Sequence, residues 1–321
     1  MIDFKLQRFA EGDGGTTQTP STTTPTGANN EKGVRTYGMQ FKELLPTVFA
    51  KKSYFNDFFV GGLEALDGVA FNKKAFSLKA CDIPVAIGTG YDKTDTKAFK
   101  TGTGSTSRFG NRTEIIYDDI DVEYTWGWNF HEGIDRHTVN NNMEQAIADR
   151  LELQALAKTE MFNKAHGKFI SQNAGKIITT AAATLSDSDP KTLFNELSKY
   201  FANIEAVGTR YAKVTSDLYN LIVDSTLATT SKNSSVNIDD NGIVKFKGFL
   251  IEAVPDSMFQ TNEICYAYVG GIAKVFTGIN TARTIESEAF DGVALQGAGK
   301  AGEYIPTDNK KAVVKVKMKT A

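Results

Sequence analysis

The stretch AFSLKACDIPVAIG–TGYDKTDTKAFKTGTGSTSRFGN–RTEIIYDDIDVEYTW (75–126) carries the most information about the fold. Its two ends show strand-like alternation, with Ile116, Ile120, Val122 and Tyr124 as markers. The 23 residues Thr89–Asn111 between them are Gly, Thr, Ser, Lys and Asp with few apolar groups. Strand, long polar excursion, strand predicts an extended β-hairpin whose tip leaves the body of the domain. A connection of that length in a compact domain usually has a function or lacks fixed structure.

Upstream, MQFKELLPTVFAKKSYFNDFFVGGLEALDG (39–68) is apolar without a clean period, and Pro46 and Gly61-Gly62 interrupt it. This predicts an extended arm with short helical turns. Phe49, Phe55, Phe58 and Phe59 need cover from the rest of the chain or from a neighbouring subunit. The first 36 residues, with the run TTQTPSTTTPTGANN (16–30), predict a tail too poor in apolar groups to fold by itself. Its four acids and four bases cancel. It reads as a plain linker, or as a short amphipathic hook (Phe4, Leu6, Phe9) on a tether. MIDFKLQRFAEGDGG has no apolar core, so it is not a secretory signal.

Downstream, Asn142 to about His166 predicts a long helix with Met143, Ala146, Ile147, Leu151, Leu153, Ala157 and Met161 on its buried face. Arg150, Gln154 and Lys158 intrude on that stripe, which suggests one flank is exposed or meets a partner. SDSDPKTLFNELSKYFANIEAVG (186–208) predicts a helix capped at Ser188 or Asp189, with Pro190 in its first turn. Leu193, Leu197, Phe201 and Ile204 form its stripe, and Gly208 stops it. Strand YAKVT, helix SDLYNLIVDS, hairpin GIVKFKGFLIEAV and strand EICYAYVGGIAKVFTG follow. KKAVVKVKMKT alternates Val314, Val316 and Met318 with Lys315, Lys317 and Lys319. Helices and strands mixed without βαβ repetition predict an α+β fold.

The chain has 321 residues, 41% hydrophobic and 23% charged, with a formal net charge of −2. That balance excludes a strongly basic nucleic-acid binder. No apolar run approaches the roughly 20 residues of a membrane-spanning helix. Cys81 and Cys265 are too few for a disulfide framework, which fits a reducing cytoplasm, and they read as small buried hydrophobes.

Catalytic motifs fail in context. GAGKAG (Gly297, Gly299, Gly302) matches G-x-G-x-x-G, but Pro306 stands where a helix should begin, so it reads as a flexible loop. GTGYDKT (88–94) lacks the G-K-[ST] core of a phosphate loop. HEGID (131–135) has Asp135 in place of the second zinc-binding His, with His137 nearby. It reads as polar residues leading into the long helix. Lys93, Lys97, Lys100, Arg108 and Arg112 lack the interleaved aromatics of a single-strand binder and read as a solvated loop. There is no G-x-S-x-G elbow.

Three further stretches carry a resemblance. KLQRFAEG (5–12) is similar to an L-Q-F-F-A-E opening, with Arg8 replacing the first Phe. GIVKFKGFLIEAVPDSMF (242–259) resembles a G-x-x-I-x-x-V-P return hairpin at Gly248, Ile251, Val254 and Pro255. YAYVGGIAKVF (266–276) resembles the strand and turn after it. Together with the order of elements, they resemble the major capsid (major head) proteins of tailed bacteriophages, especially phages of Gram-positive bacteria. The resemblance implies the α+β capsid-protein fold of N-arm, E-loop, P-domain with a long spine helix, and A-domain. It places a flexible tail at 1–36, the N-arm at 37–74, and the E-loop (about 85–125) with the P-domain at 75–176. The A-domain falls at 177–299, and a C-terminal strand at 300–321 returns to the P-domain.

Functionally, the resemblance implies a structural virion protein, not an enzyme. It would self-assemble into an icosahedral head enclosing double-stranded DNA without sequence specificity. Implied partners are further copies in hexamers and pentamers, a separate scaffolding protein, a portal protein and, where present, a decoration protein, with no membrane. The implied location is the virion capsid, assembled in the host bacterial cytoplasm. No catalytic, metal or cofactor-binding residue is implied, and no cofactor. Two alternatives stand beside this reading. One is an encapsulin-type bacterial compartment shell, which shares the fold. The other is a metal-dependent hydrolase built on His131 and His137.

Overall fold

A computed structural model describes residues 52–65, 74–81, 83, 85, 87–88, 90–94, 107–110, 112–139, 142–224, 237–238 and 244–320. The tail expected at 1–36, Phe49 and the rest of the arm before Lys52, and the excursion tip at 95–106 lie outside these residues.

The strands are β1 (Phe59–Ala65), β2 (Lys74–Ala80), β3 (Asp118–Glu123) and β4 (Trp126–Asp135), and β4 runs directly into the short helix α1 (Arg136–Val139). The long helix α2 (Met143–Gln172) leads to β5 (Lys176–Thr179), α3 (Asp189–Asn203), β6 (Arg210–Val214) and α4 (Ser216–Asp224). Strands β7 (Asn237–Ile238), β8 (Val244–Phe246), β9 (Phe249–Ala253), β10 (Glu263–Val269), β11 (Ala273–Glu286) and β12 (Gly292–Tyr304) follow, and β13 (Val313–Lys317) is last. They form a seven-stranded mixed sheet in the order β5-β13-β10-β6-β9-β8-β7, a four-stranded sheet β1-β11-β12-β4, and the two-stranded ribbon β2-β3. The α+β expectation holds.

The central strands of the seven-stranded sheet are buried on both faces, and their alternation shows how. On β10, Cys265, Ala267 and Val269 join one core with Leu193, Phe194, Leu197 and Phe201 of α3 and Leu218 and Ile222 of α4. Tyr266 and Tyr268 face the other way and pack with Phe55, Phe58, Phe59 and with Ile170 of α2. β13 obeys the same rule: Val314 and Val316 enter the first core and Val313 the second. The three phenylalanines of the arm are therefore covered by their own chain. Each of these fully buried large side chains contributes roughly 1.5–3 kcal/mol. The β8–β9 hairpin turns on Lys247 (φ 52°) and Gly248 (φ 85°). Two successive positive φ values match the right-handed strand twist, as in a type I′ turn.

Several expectations are corrected. Gly61-Gly62 does not end the arm, because β1 runs through it with a register shift between Phe59 and Leu63. EICYAYVGGIAKVFTG is two strands in different sheets, β10 and β11, divided at Gly270-Gly271. Only Lys74–Ala80 and Asp118–Glu123 of the excursion's flanks are strands. Ser188 makes no side-chain cap on α3; instead the Asp189 carboxylate accepts from the Ser186 backbone N–H at 2.6 Å. A boundary after residue 299 would cut β12, and the C-terminal strand β13 joins the seven-stranded sheet beside β10.

The predicted stripe of the long helix is the largest correction. α2 extends to Gln172, and of the seven stripe residues only Ala146 is buried. Leu151 is 39% exposed and Ala157 is exposed. The row that meets the four-stranded sheet is Arg150, Gln154, Lys158, Phe162 and His166, spaced by four. Arg150 and Gln154 both donate to Glu132 of β4. Lys158 lies 4.6 Å above the Trp128 ring. Phe162 stacks edge-on against Trp126 and Trp128, and His166 reaches Glu303 at 3.0 Å. Periodicity identified the helix but selected the wrong face, because charged and aromatic partners on β4 and β12 outweigh aliphatic burial there.

Candidate subunit interface

β2 and β3 form an antiparallel ribbon rooted in the body by Phe76, whose ring meets Phe276 at 5.3 Å and Tyr304 at 6.0 Å. Val122 is buried beside them. Lys74 pairs with Asp121, which also accepts from Ser77 Oγ at 2.6 Å. The Lys74 ammonium, then the Ser77 hydroxyl, hold the Asp121 carboxyl below the usual carboxylate range. Beyond the ribbon the two arms still meet: Asp92 N–H donates to Arg108 C=O at 3.1 Å, and the Tyr91 and Phe109 rings lie 5.0 Å apart.

Between root and tip the excursion is apolar and uncovered. Val85, Ile87 and Phe109 are 88%, 87% and 84% exposed, and Ile115, Ile116 and Tyr117 are more than half exposed. Seven of the twelve large apolar side chains exposed among the described residues lie here, Tyr91 being the seventh. Apolar groups concentrated on one projection mark a contact surface, whereas single scattered ones do not. The sequence reading emphasised the polar tip and missed this stalk. Its signal was present in the β-branched and aromatic residues of IPVAIG and EIIY.

Three buried charged groups lock the body to which the stalk is attached. Lys213, 3% exposed, pairs with Asp57 at 2.8 Å and with Glu252, which also binds Lys52. Tyr268 Oη donates to Asp57 at 2.8 Å. Burial pushes Glu252 up, but the Lys213 and Lys52 ammonium groups outweigh it and leave the carboxyl below its ordinary value. Glu303 accepts from Trp126 Nε1 at 3.1 Å beside His166. Glu263 accepts from Tyr266 Oη at 2.6 Å and Ser171 Oγ at 2.9 Å, with Lys315 at 3.1 Å. Burial raises Glu263, yet those donors hold it below its ordinary value. These groups are saturated by their own chain, as buried charges must be, and they join the arm and α2 to both large sheets. A lone charge inside an apolar strand (Lys213 in YAKVT, Glu263 before ICYAYV) was their only trace in the sequence.

The motifs weighed for chemistry fall apart in space. HEGID lies within β4. His131 is exposed and its Nε2 meets Gln296 Nε2 at 3.1 Å, whereas Glu132 turns to Arg150 and Gln154. His137 sits 3.3 Å from Asp291. Among the described residues no three His, Cys, Asp or Glu side chains converge as a metal site. GAGKAG is no loop: it is the interior of β12, paired with β4 and β11. In GTGYDKT, Asp92 Oδ1 accepts from its own Thr94 N–H and hydroxyl in a local turn. Lys93, Arg108 and Arg112 lie on the excursion, and Lys97 and Lys100 lie outside the described residues. Cys265 is buried, which pushes its thiol well up, and Cys81 is half-buried. No helix of the described residues is long and apolar enough to cross a membrane.

No protein-family model and no curated protein sequence matches the chain. Solved structures do. The cyanophage P-SCSP1u capsid aligns with a TM-score of 0.62 over 95% of this chain and 100% of that one, at 12% identity. The mature capsid of bacteriophage PhiM1 aligns at 0.60 over 85% and 88%, with 11% identity. A Mycobacterium phage Che8 structure aligns at 0.55 over 75% and 83%, with 14% identity. At 11–14% identity these alignments show a shared fold. The chain has the bacteriophage capsid-protein fold expected from its order of elements.

Proposed function

We propose that the chain is the major shell subunit of a tailed-phage head. It assembles with its own copies into a closed icosahedral container for double-stranded DNA and performs no catalysis. The observation that carries this reading is the stalk: a ribbon rooted in its own subunit that leaves Val85, Ile87 and Phe109 more than four-fifths exposed. On a capsid-protein fold, such a projection is an E-loop whose apolar residues are covered by a neighbouring subunit. Every copy donates and receives that contact in a closed symmetric shell, so modest pairwise energies accumulate.

In this reading the N-arm is the segment around Tyr54–Ala65. The P-domain is α2 with the four-stranded sheet, and the A-domain is the seven-stranded sheet with α3 and α4. Hexamers and pentamers, scaffolding, portal and decoration partners, and assembly in the host cytoplasm belong to the same proposal.

The test is to replace Thr89–Ser107 with a short Gly-containing turn. Circular dichroism should report an unchanged fold, while sedimentation and electron microscopy should show few or no closed shells. Normal shells would overturn the assignment, and an unfolded subunit would place the excursion in the core. Particles of the unaltered protein expressed with its neighbouring genes should contain DNA; enclosed cargo enzymes would favour the encapsulin alternative.

A further inference from the structure

A groove of about 780 Å³ lies between α4, the turn Asp256–Met258 and the start of β10. One wall is acidic: Asp217, Asp224 and Asp256 are all exposed there, and no cation is paired with any of them among the described residues. The Asp256 carboxylate accepts the Ser216 backbone N–H, at 3.2 Å. The floor is apolar, built from Leu185, Leu221, Phe259 and Met318. Thr215, 8% exposed, lines the same groove, and its hydroxyl oxygen has no hydrogen-bond partner.

We infer that this groove receives the chain's own segment Phe4-Lys5-Leu6-Gln7-Arg8-Phe9. Its Lys5 and Arg8 match the three carboxylates, and its Phe4, Leu6 and Phe9 match the apolar floor. The geometry of attachment also fits. The described chain begins at Lys52, held to Glu252 on β9, four residues before Asp256 at the groove's rim. The intervening Ala10–Lys51 is 42 residues, a chain that can reach more than about 100 Å when extended. A linker of that length keeps the segment near millimolar effective concentration, so weak docking suffices. The inference concerns the free subunit and stands apart from the shell reading.

The test uses the full chain with Cys81→Ser, which leaves only buried Cys265. Phe9→Cys with Asn220→Cys on the groove rim, or Phe4→Cys with Asp217→Cys, is oxidised in air and run on non-reducing gels. An intramolecular disulfide should form in most subunits. Lys5→Glu with Arg8→Glu should lower its yield at least fivefold for the Asn220→Cys pair, and adding Asp217→Lys with Asp224→Lys should restore it. Three results in folded protein would overturn the inference. They are no disulfide in either pair, a yield indifferent to the charge reversals, and disulfides formed only between chains, which would make a second copy the occupant.

Discussion

At Gly299 of β12, an added Cβ would lie 2.1 Å from Trp128 Cζ2, deep inside van der Waals contact. The residue is glycine because the indole occupies the place of a side chain, not because a phosphate must approach. Gly299→Val should therefore lower the stability of the subunit by about 2–3 kcal/mol, as overpacking does, read as a lower urea midpoint. Replacing a phosphate-loop glycine would instead spare folding.

Glu263 allows a second residue-scale prediction. Its folded carboxyl, like that of Glu252, lies below the ordinary glutamate value. A depressed folded pKa means that the stabilisation is present above the unfolded value of about 4.3 and is lost as pH falls through the folded one. The urea midpoint should be nearly flat from about pH 7 to pH 5 and fall steeply below about pH 4. Glu263→Gln should cost about 2 kcal/mol at neutral pH, because it leaves Lys315 without its counter-charge. It should also make the acid fall shallower. An identical acid limb in the variant would remove Glu263 from the account.

At the scale of elements, α2 decides the argument. Its sheet-facing row mixes Arg150, Gln154 and Lys158 with Phe162 and His166, and burial pushes the Lys158 ammonium down. Phe162 is 9% exposed and sits between two tryptophans. Phe162→Ala should cost about 3–5 kcal/mol. Leu151→Asp, which the amphipathic pattern would make ruinous, should change subunit stability by less than about 1 kcal/mol, because the side chain is already partly in water. Thermal melts of the two variants check both statements, and equal losses would restore the aliphatic stripe as core.

At the scale of the whole molecule, the body is tied together by saturated charges, whereas beyond its Phe76 root the stalk leaves Val85, Ile87 and Phe109 more than four-fifths exposed. Ile87→Ser with Phe109→Ser removes two large side chains, each more than four-fifths exposed. The melting temperature of the subunit should move by no more than a few degrees, since surface changes are usually within about 0.5 kcal/mol. The assembled fraction in sedimentation should fall sharply. A destabilised subunit with intact assembly would place these side chains against their own chain.

The sequence alone determined the elements whose periodicity is read along one face. The α3 stripe of Leu193, Leu197 and Phe201, the β8–β9 hairpin and the alternation of β13 follow from local propensity and from where apolar groups repeat. It also determined the excursion, because the 23 residues between two alternating runs are mostly Gly, Thr, Ser, Lys and Asp and cannot build a core of their own. What it could not determine was which partner each face meets. GAGKAG became a central strand because Trp128 and Phe276 supply, from other elements, the bulk its glycines lack. α2 turned its polar row inward because Glu132, Trp128 and Glu303 wait on strands up to 137 residues distant in sequence. Lys213 could be buried only because Asp57 and Glu252 converge on it from two other segments. Such choices rest on long-range pairing energies that no local window of sequence contains, so only the tertiary structure decided them.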